Sequence, residues 1–251
     1  MTYAMGELQQ KLAAAVEHFW KTRKRQESKQ RARGGKRDRG SRSAVTGGAQ
    51  LDGFIRLVKD LLADSGIPDA AIFVKRKTTE LPGFFRPTKQ WDLIVVVDGN
   101  LLASIEFKSH VGPSFGNNYN NRIEEALGNA TDLWTAYREG VFGEAPRPWV
   151  GYLMLLEDAP QSNSAVEVDE PHFRVVEQFR GASYAKRYEQ FCVKLVRERL
   201  YDAACFLMSD RVNGLKGGFK EPSREVSFTN FAASLTGRAV AYARIRSGRS
   251  G

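Results

Sequence analysis

Residues 91–108, WDLIVVVDGNLLASIEFK, are two apolar stretches joined by Asp98-Gly99-Asn100. Asp-Gly between such runs is a strong β-hairpin signal, and a hairpin commits this part of the chain to a sheet. The hairpin leaves its own ending unexplained. An apolar strand closes on a glutamate and a lysine, Glu106 and Lys108, after a partner strand that opens with an aspartate, Asp92.

Around the hairpin, strands and helices alternate. Leu51, Phe54, Ile55, Val58, Leu61 and Leu62 recur at helical spacing and stop at Gly66. AIFVKRK follows as a short strand, and ELPGFFRPTKQ, with Pro82 and Pro87, as a loop. A glycine- and asparagine-rich loop, VGPSFGNNYNN, leads into a helix over RIEEALGNATDLWTAYREG, in which Trp134 and Tyr137 belong to the core. WVGYLMLLED reads as a strand buried on both faces. A helix over 183–201, then AACFLMS as a strand or the end of that helix, and a last helix containing FTNFAASLTGRAVAYARI complete a pattern without internal repeats. The expected fold is α/β, a mixed central sheet flanked by helices. The 251 residues suffice for one such domain, 49–251, preceded by an N-terminal helix and basic arm, 1–48.

The net charge of +9 lies in one place: residues 21–43 carry eleven Lys or Arg against two acids, and the remainder is balanced. This arm repels itself and has no apolar residue larger than Ala32, so burial does not order it. The first helix, from about Glu7, runs into it and fades at Gly34-Gly35, and a solvated continuation of that helix or a solubilising tail is its other reading. A polyanion attracts it. Arg31, Arg33, Lys36 and Arg37 are the expected phosphate contacts, each releasing counterions, and nucleic acid is the expected partner. The opening MTYAMGELQQKLAAAVEHFW reads as an amphipathic helix rather than a signal peptide, and no apolar run approaches the roughly 18 residues of a membrane span. Cys192 and Cys205, among apolar neighbours, read as buried free thiols in a reducing cytoplasm.

Residues two apart on a strand share a face, so Glu106 and Lys108 point together while Phe107 points into a core. With a three-residue loop, Asp98 to Asn100, Val97 faces Leu101 and Asp92 faces Glu106, their Cβ atoms roughly 5 Å apart. A two-residue loop shifts the pairing by one and points the carboxylates apart. Like charges placed opposite each other are unfavourable unless a cation joins them, and two carboxylates suit a hard ion such as Mg²⁺. A neighbouring lysine can orient water or stabilise developing negative charge, which are the parts phosphodiester hydrolysis needs. Glu-x-Lys alone carries little weight: Glu27-Ser28-Lys29 repeats it in the basic arm, and Pro68-Asp69 has no partner at useful spacing. The same residues also suit a salt-bridged hairpin edge with no chemistry.

Asp-x13-Glu-x-Lys on a hairpin resembles the PD-(D/E)XK nuclease superfamily, with Trp91 where the motif's name has proline. The segment from Glu80 to Gly140 is similar to the core of the XhoI-type restriction endonucleases. That likeness extends over most of the chain, including His18-Phe19-Trp20 and the basic Gly34-Gly35-Lys36 stretch. The resemblance implies a restriction-endonuclease-like core and a type II enzyme of a restriction–modification system. Such an enzyme cuts the palindrome CTCGAG after its first C, with Mg²⁺, leaving four-base 5′ overhangs. A palindrome calls for two-fold symmetry, hence a homodimer on double-stranded DNA.

By the same resemblance Asp92 is the shared metal ligand and Glu106 the second carboxylate. Lys108 positions or activates the water, and the main-chain carbonyl of Phe107 completes the metal shell. A further acid in this superfamily often comes from the helix before the hairpin. Asp52 is the candidate, with helix-terminus charge as its other reading, and Glu80 is the weaker one. Asn117, Asn118, Asn120, Asn121 and Arg122 follow the active strand, as readers of adenine and guanine or as turn formers and phosphate contacts. His110, just past the motif, reads as a solvent-facing loop residue, with a touch on a phosphate as its other reading. His18 and His172 are far apart in sequence, which suggests no zinc site, and there is no nucleophile elbow.

Two further readings compete. A junction or repair nuclease of the same fold tends to be smaller, whereas more than 140 residues follow Lys108 here. A non-catalytic DNA-binding protein with a dead core sits poorly with an intact Asp92, Glu106 and Lys108.

Overall fold

The computed structural model describes residues 5–32 and 49–247. Its strands are β1 (Ile72–Phe73), β2 (Glu80–Pro82), β3 (Thr88–Gln90), β4 (Leu93–Val97), β5 (Asn100–His110), β6 (Trp149–Glu157) and β7 (Ala203–Ser209). The helices are α1 (Met5–Ala32), α2 (Asp52–Asp64), α3 (Gly116–Arg138), the single turn α4 (Pro160–Asn163), α5 (Tyr184–Arg197) and α6 (Phe228–Ser247). The main sheet runs β1-β4-β5-β6-β7, antiparallel up to β5 and parallel from β5 to β7. It is the expected mixed α/β sheet. One face packs Leu93, Val95, Ile105 and Phe107 against α1, α2 and α6. The other packs Ile94, Tyr152, Met154 and Phe206 against α3 and α5. Every residue of β6 and β7 is buried, which is why these strands are apolar without alternation.

The hairpin reaches the expected pairing by a different route. Asp98 and Gly99 both have positive φ, 51° and 77°, the signature of a two-residue primed turn, and Val97 pairs with Asn100. On its own that turn would set the carboxylates on opposite faces. Between Val96↔Leu101 and Val95↔Ala103, however, Leu102 is an extra residue, a β-bulge that absorbs the shift. The ladder's last pair is Leu93↔Ile105, so Asp92 and Glu106 are the residues that follow it on the two chains, and Asp92 reaches across to the Phe107 N–H.

Three other expectations change. ELPGFFRPTKQ is not a loop but β2 and β3, an antiparallel pair in which Glu80 meets Gln90 and Pro82 meets Thr88. The prolines sit at and beyond the ends of short strands, where a missing donor does little harm. The asparagine-rich stretch is the start of α3 rather than a loop. Phe115, Tyr119 and Ile123, four apart, pack into the core while Asn117, Asn118, Asn120 and Asn121 face solvent. The helix before AACFLMS ends at Arg197, short of Tyr201, and AACFLMS takes the first of its two readings, strand β7. Trp134 is buried and in ring contact with half-buried Tyr137, as expected. Cys192 and Cys205 are free and buried, and burial pushes both thiols up. Among the described residues no helix is long and apolar enough to cross a membrane.

Candidate active site

β5 outruns β4. Past Ile105 it pairs only with β6, Glu106 beside Tyr152 and Lys108 beside Met154, so residues 106–110 border an open edge. Asp92 stands at the mouth of that edge, where its Oδ2 accepts the Phe107 N–H at 2.7 Å. A strand residue's N–H and C=O point to the same edge, so the Phe107 carbonyl faces the side on which Asp92 sits. The Phe107 ring turns the other way, into the core.

Glu106, only 2% exposed, is held between two cations. Lys108 Nζ lies 2.5 Å from Oε1 and Lys89 Nζ donates to Oε2 at 3.0 Å. Lys108 also lies 3.6 Å from Glu125 Oε2 on α3, and that oxygen takes a hydrogen bond from Arg122 at 2.9 Å. The chain of charges therefore runs from Lys89 through Glu106, Lys108 and Glu125 to Arg122. Burial, with Glu106 alongside, pushes the Asp92 carboxyl up to about 6. Burial opposes the charge on Lys108, but Glu106 and Asp92 outweigh it and hold the ammonium above its ordinary value. Burial likewise opposes the charge on Glu125, where Lys108 and Arg122 prevail and lower its pKa.

Asp92, Glu106, Phe107 and Lys108 are thus together, as the spacing implied. Arg122 joins them through Glu125. Asn117, Asn118, Asn120 and Asn121 stand exposed on the first turns of the same helix. Asp52 is exposed in the first turn of α2, and Glu80 is exposed on β2. Among the described residues no group of three or more His, Cys, Asp or Glu side chains is arranged to hold a metal ion. His110 is not a solvent-facing loop residue. It ends β5, is 3% exposed, and bonds Tyr188 Oη at 2.8 Å and the Ser114 carbonyl at 2.9 Å. Burial keeps its pKa low. Arg31 lies in α1, but its side chain, together with Arg33, Lys36 and Arg37, lies outside the described residues.

Sequence reasoning missed Lys89 and Glu125. Lys89 alternates inward between exposed Thr88 and Gln90, over the ring of buried Trp91 at 5.1 Å. Reading Lys89 and Trp91 as one strand face would have found it. Trp91, in the position named for proline, anchors the approach to Asp92 by burial and donates its N–H to the Thr79 carbonyl at 2.9 Å.

Asp92, Glu106 and the Phe107 carbonyl offer only oxygens, and the Asp92 carboxyl is raised in pKa by burial first and by Glu106 second. That is the electrostatic signature of a place that gains from an added hard cation, so these residues fit a divalent metal ion.

Residues 29–221 match the protein family described as Restriction endonuclease XhoI. The chain is 54% identical over 204 residues to the type II restriction enzyme BstVI of Geobacillus stearothermophilus, covering 79% of this chain and 91% of that protein. It is 51% identical over 174 residues to the type II restriction enzyme AbrI of Azospirillum brasilense, 69% of this chain and 78% of that one. It is 44% identical over 199 residues to the type II restriction enzyme XhoI of Xanthomonas vasicola, 78% of each chain. No solved structure matches it.

Proposed function

For a chain that belongs to the XhoI restriction endonuclease family, we propose hydrolysis of double-stranded DNA at CTCGAG, with Mg²⁺, as a homodimer leaving 5′ overhangs. The protein is a type II restriction endonuclease, a site-specific deoxyribonuclease. The observation that carries the chemical part of the proposal is the grouping of Asp92, Glu106, Phe107 and Lys108 at the open edge of β5. The CTCGAG site rests on family membership.

Asp92, Glu106 and the Phe107 carbonyl are the groups that would hold the ion. When bound, such an ion supplies Lewis acidity to the scissile phosphate and acidifies water. Lys108 orients the attacking water and offsets the negative charge that builds on the phosphate oxygens. Without an ion, Glu106 and Asp92 hold its pKa above the ordinary value, so in that state it is a charge and hydrogen-bond donor. Lys89 supports Glu106 from the other side. The first turns of α3 carry four exposed asparagine side chains beside this site, able to reach adenine edges, and a helix N-terminus favours a phosphate.

The test is digestion of a plasmid with one CTCGAG site. The expected result is a single linear product with Mg²⁺, no cutting with EDTA, and both strands cut in one binding event, as a dimer requires. Cutting at other sequences or only at branches would overturn the specificity, and no cutting of any DNA would overturn the activity. The basic arm is proposed to add affinity without reading sequence. Removing residues 33–43, which carry five cations and one acid, should flatten the dependence of log K on log salt by roughly one for each phosphate that the shortened arm no longer neutralises. An unchanged slope would take the arm off the DNA.

A further inference from the structure

Two adjacent phenylalanines cap the turn between β2 and β3, Phe84 exposed by 49% and Phe85 by 70%. Single exposed apolar residues are common and need no explanation. This pair differs in how firmly its backbone is held. The buried Asp132 of α3 accepts both amides, Phe84 N–H and Phe85 N–H, on Oδ1 at 2.8 Å each. Its Oδ2 accepts Arg86 Nε at 2.7 Å, and the same guanidinium reaches Asn129 Oδ1 at 2.7 Å. At Gly83 a Cβ would sit 2.5 Å from the Asp132 carboxylate, so no side chain fits there. The rings meet edge to face, 5.0 Å apart at 83°. Fixing a turn this tightly while leaving its largest apolar groups in water does nothing for the core.

The position of the turn gives it a use. Four residues beyond Phe85 on the same hairpin, Lys89 contacts Glu106. A stretch of that length reaches at most roughly 13 Å, so the rings lie within about four base pairs' rise of Lys89. Residues 75–89 carry five cations, with Glu80 as the single acid; Arg86 pairs with Asp132 and Lys89 with Glu106, and Lys75, Arg76 and Lys77 supply the rest of the positive charge. Apolar rings among cations match a duplex, whose stacked bases lie inside an anionic backbone, and repel an identical basic hairpin of a second copy.

We propose that Phe85, braced edge-on by Phe84, inserts into the base stack of bound duplex DNA beside the cleavage site, making the Gly83–Arg86 turn a rigid wedge. This rests on the endonuclease reading, since the occupant is that enzyme's substrate. Insertion separates neighbouring base pairs and bends the duplex, a deformation whose energy differs between base steps and so contributes to the choice of site.

The experiment places 2-aminopurine at successive positions in and beside CTCGAG in a short duplex and follows its fluorescence on adding the full-length protein in EDTA. Cleavage of the same duplex in Mg²⁺ is the control. Wild type should raise the fluorescence several-fold at one step. Phe85→Ser should abolish the rise and weaken binding roughly 5- to 150-fold, the range for losing one base–aromatic stack. Phe85→Leu, still an apolar wedge, should keep much of both, with thermal unfolding of all three alike. If wild type cuts the duplex but Phe85→Ser keeps the fluorescence rise and the affinity, the wedge is wrong and the endonuclease reading stands. If Phe85→Ser instead turns a dimer into monomers while base unstacking persists, the pair belongs to a contact between copies and the wedge is overturned. If wild type neither binds nor cuts, the endonuclease reading fails and takes the wedge with it.

Discussion

Replacing Lys108 by methionine should slow single-turnover cleavage at least about 1000-fold while leaving DNA affinity within a few-fold. Methionine retains most of the stem that lies beside Met154 and Glu106 and removes only the charged end. Loss of one preorganised donor at a developing negative charge typically lowers the rate 10²–10³-fold, and Lys108 combines that role with placement of the water. Affinity should change little, because this amine is already engaged by Glu106 and Glu125. The variant has a second signature. Lys108 is the leading influence that holds the Asp92 pKa down against burial and Glu106. Without it the Asp92 carboxyl rises further, so the metal-free variant should lose stability relative to wild type as pH is raised from 6 to 8. Single-turnover assays, fluorescence anisotropy and thermal unfolding at the two pH values measure all three effects. Cleavage within tenfold of wild type would remove Lys108 from the chemistry.

The sequence carried the sheet and the spacing of the site because both depend on short-range pattern. WVGYLMLLE has no polar alternation and is a fully buried strand; Asp-x13-Glu-x-Lys brings its residues to one edge. What it hid depends on tertiary partners. The two-residue turn and the bulge at Leu102 are separately visible as shifts of one residue, but their cancellation is not, since Leu102 looks like any apolar strand residue. Lys89 escaped notice because Pro82 and Pro87 mask two three-residue strands whose order comes from Asp132, more than forty positions away in the chain. Glu125 is one of two consecutive glutamates on a helix, and only the approach of α3 to β5 selects it. His110 is polar and next to glycine and proline, so it reads as loop. Tyr188 on α5 gives its ring a buried partner that no local pattern announces.

Asp92→Asn should abolish cleavage and at the same time stabilise the metal-free protein at pH 7.5. Burial and Glu106 raise the Asp92 carboxyl from its ordinary 3.8 to about 6, so the folded protein holds this proton more tightly than the unfolded chain does. Stability from the protonated form is fully present below about pH 4 and is lost as pH rises through 6; above that, the charged carboxylate works against folding. At roughly 1.4 kcal/mol for each pH unit the ceiling is about 3 kcal/mol, and solvent reaching the partly exposed carboxylate reduces it to about 1–2. Asparagine is nearly isosteric, keeps an oxygen for the Phe107 N–H, and carries no charge. Its unfolding temperature in EDTA at pH 7.5 should therefore exceed wild type by about 3–6 °C, and the gap should close towards pH 4.5, where wild-type Asp92 is itself protonated. Mg²⁺ should reverse the order. An ion held by Asp92 and Glu106 stabilises wild type by about 2.7 kcal/mol at a hundred times its dissociation constant, whereas the amide, a poorer ligand without charge, gains little. The conflict between stability and activity at Asp92 is then the consequence of burying a carboxylate, beside a second one, for a cation. Unfolding temperatures that ignore both pH and Mg²⁺ would show that Asp92 serves the hairpin and not a metal site.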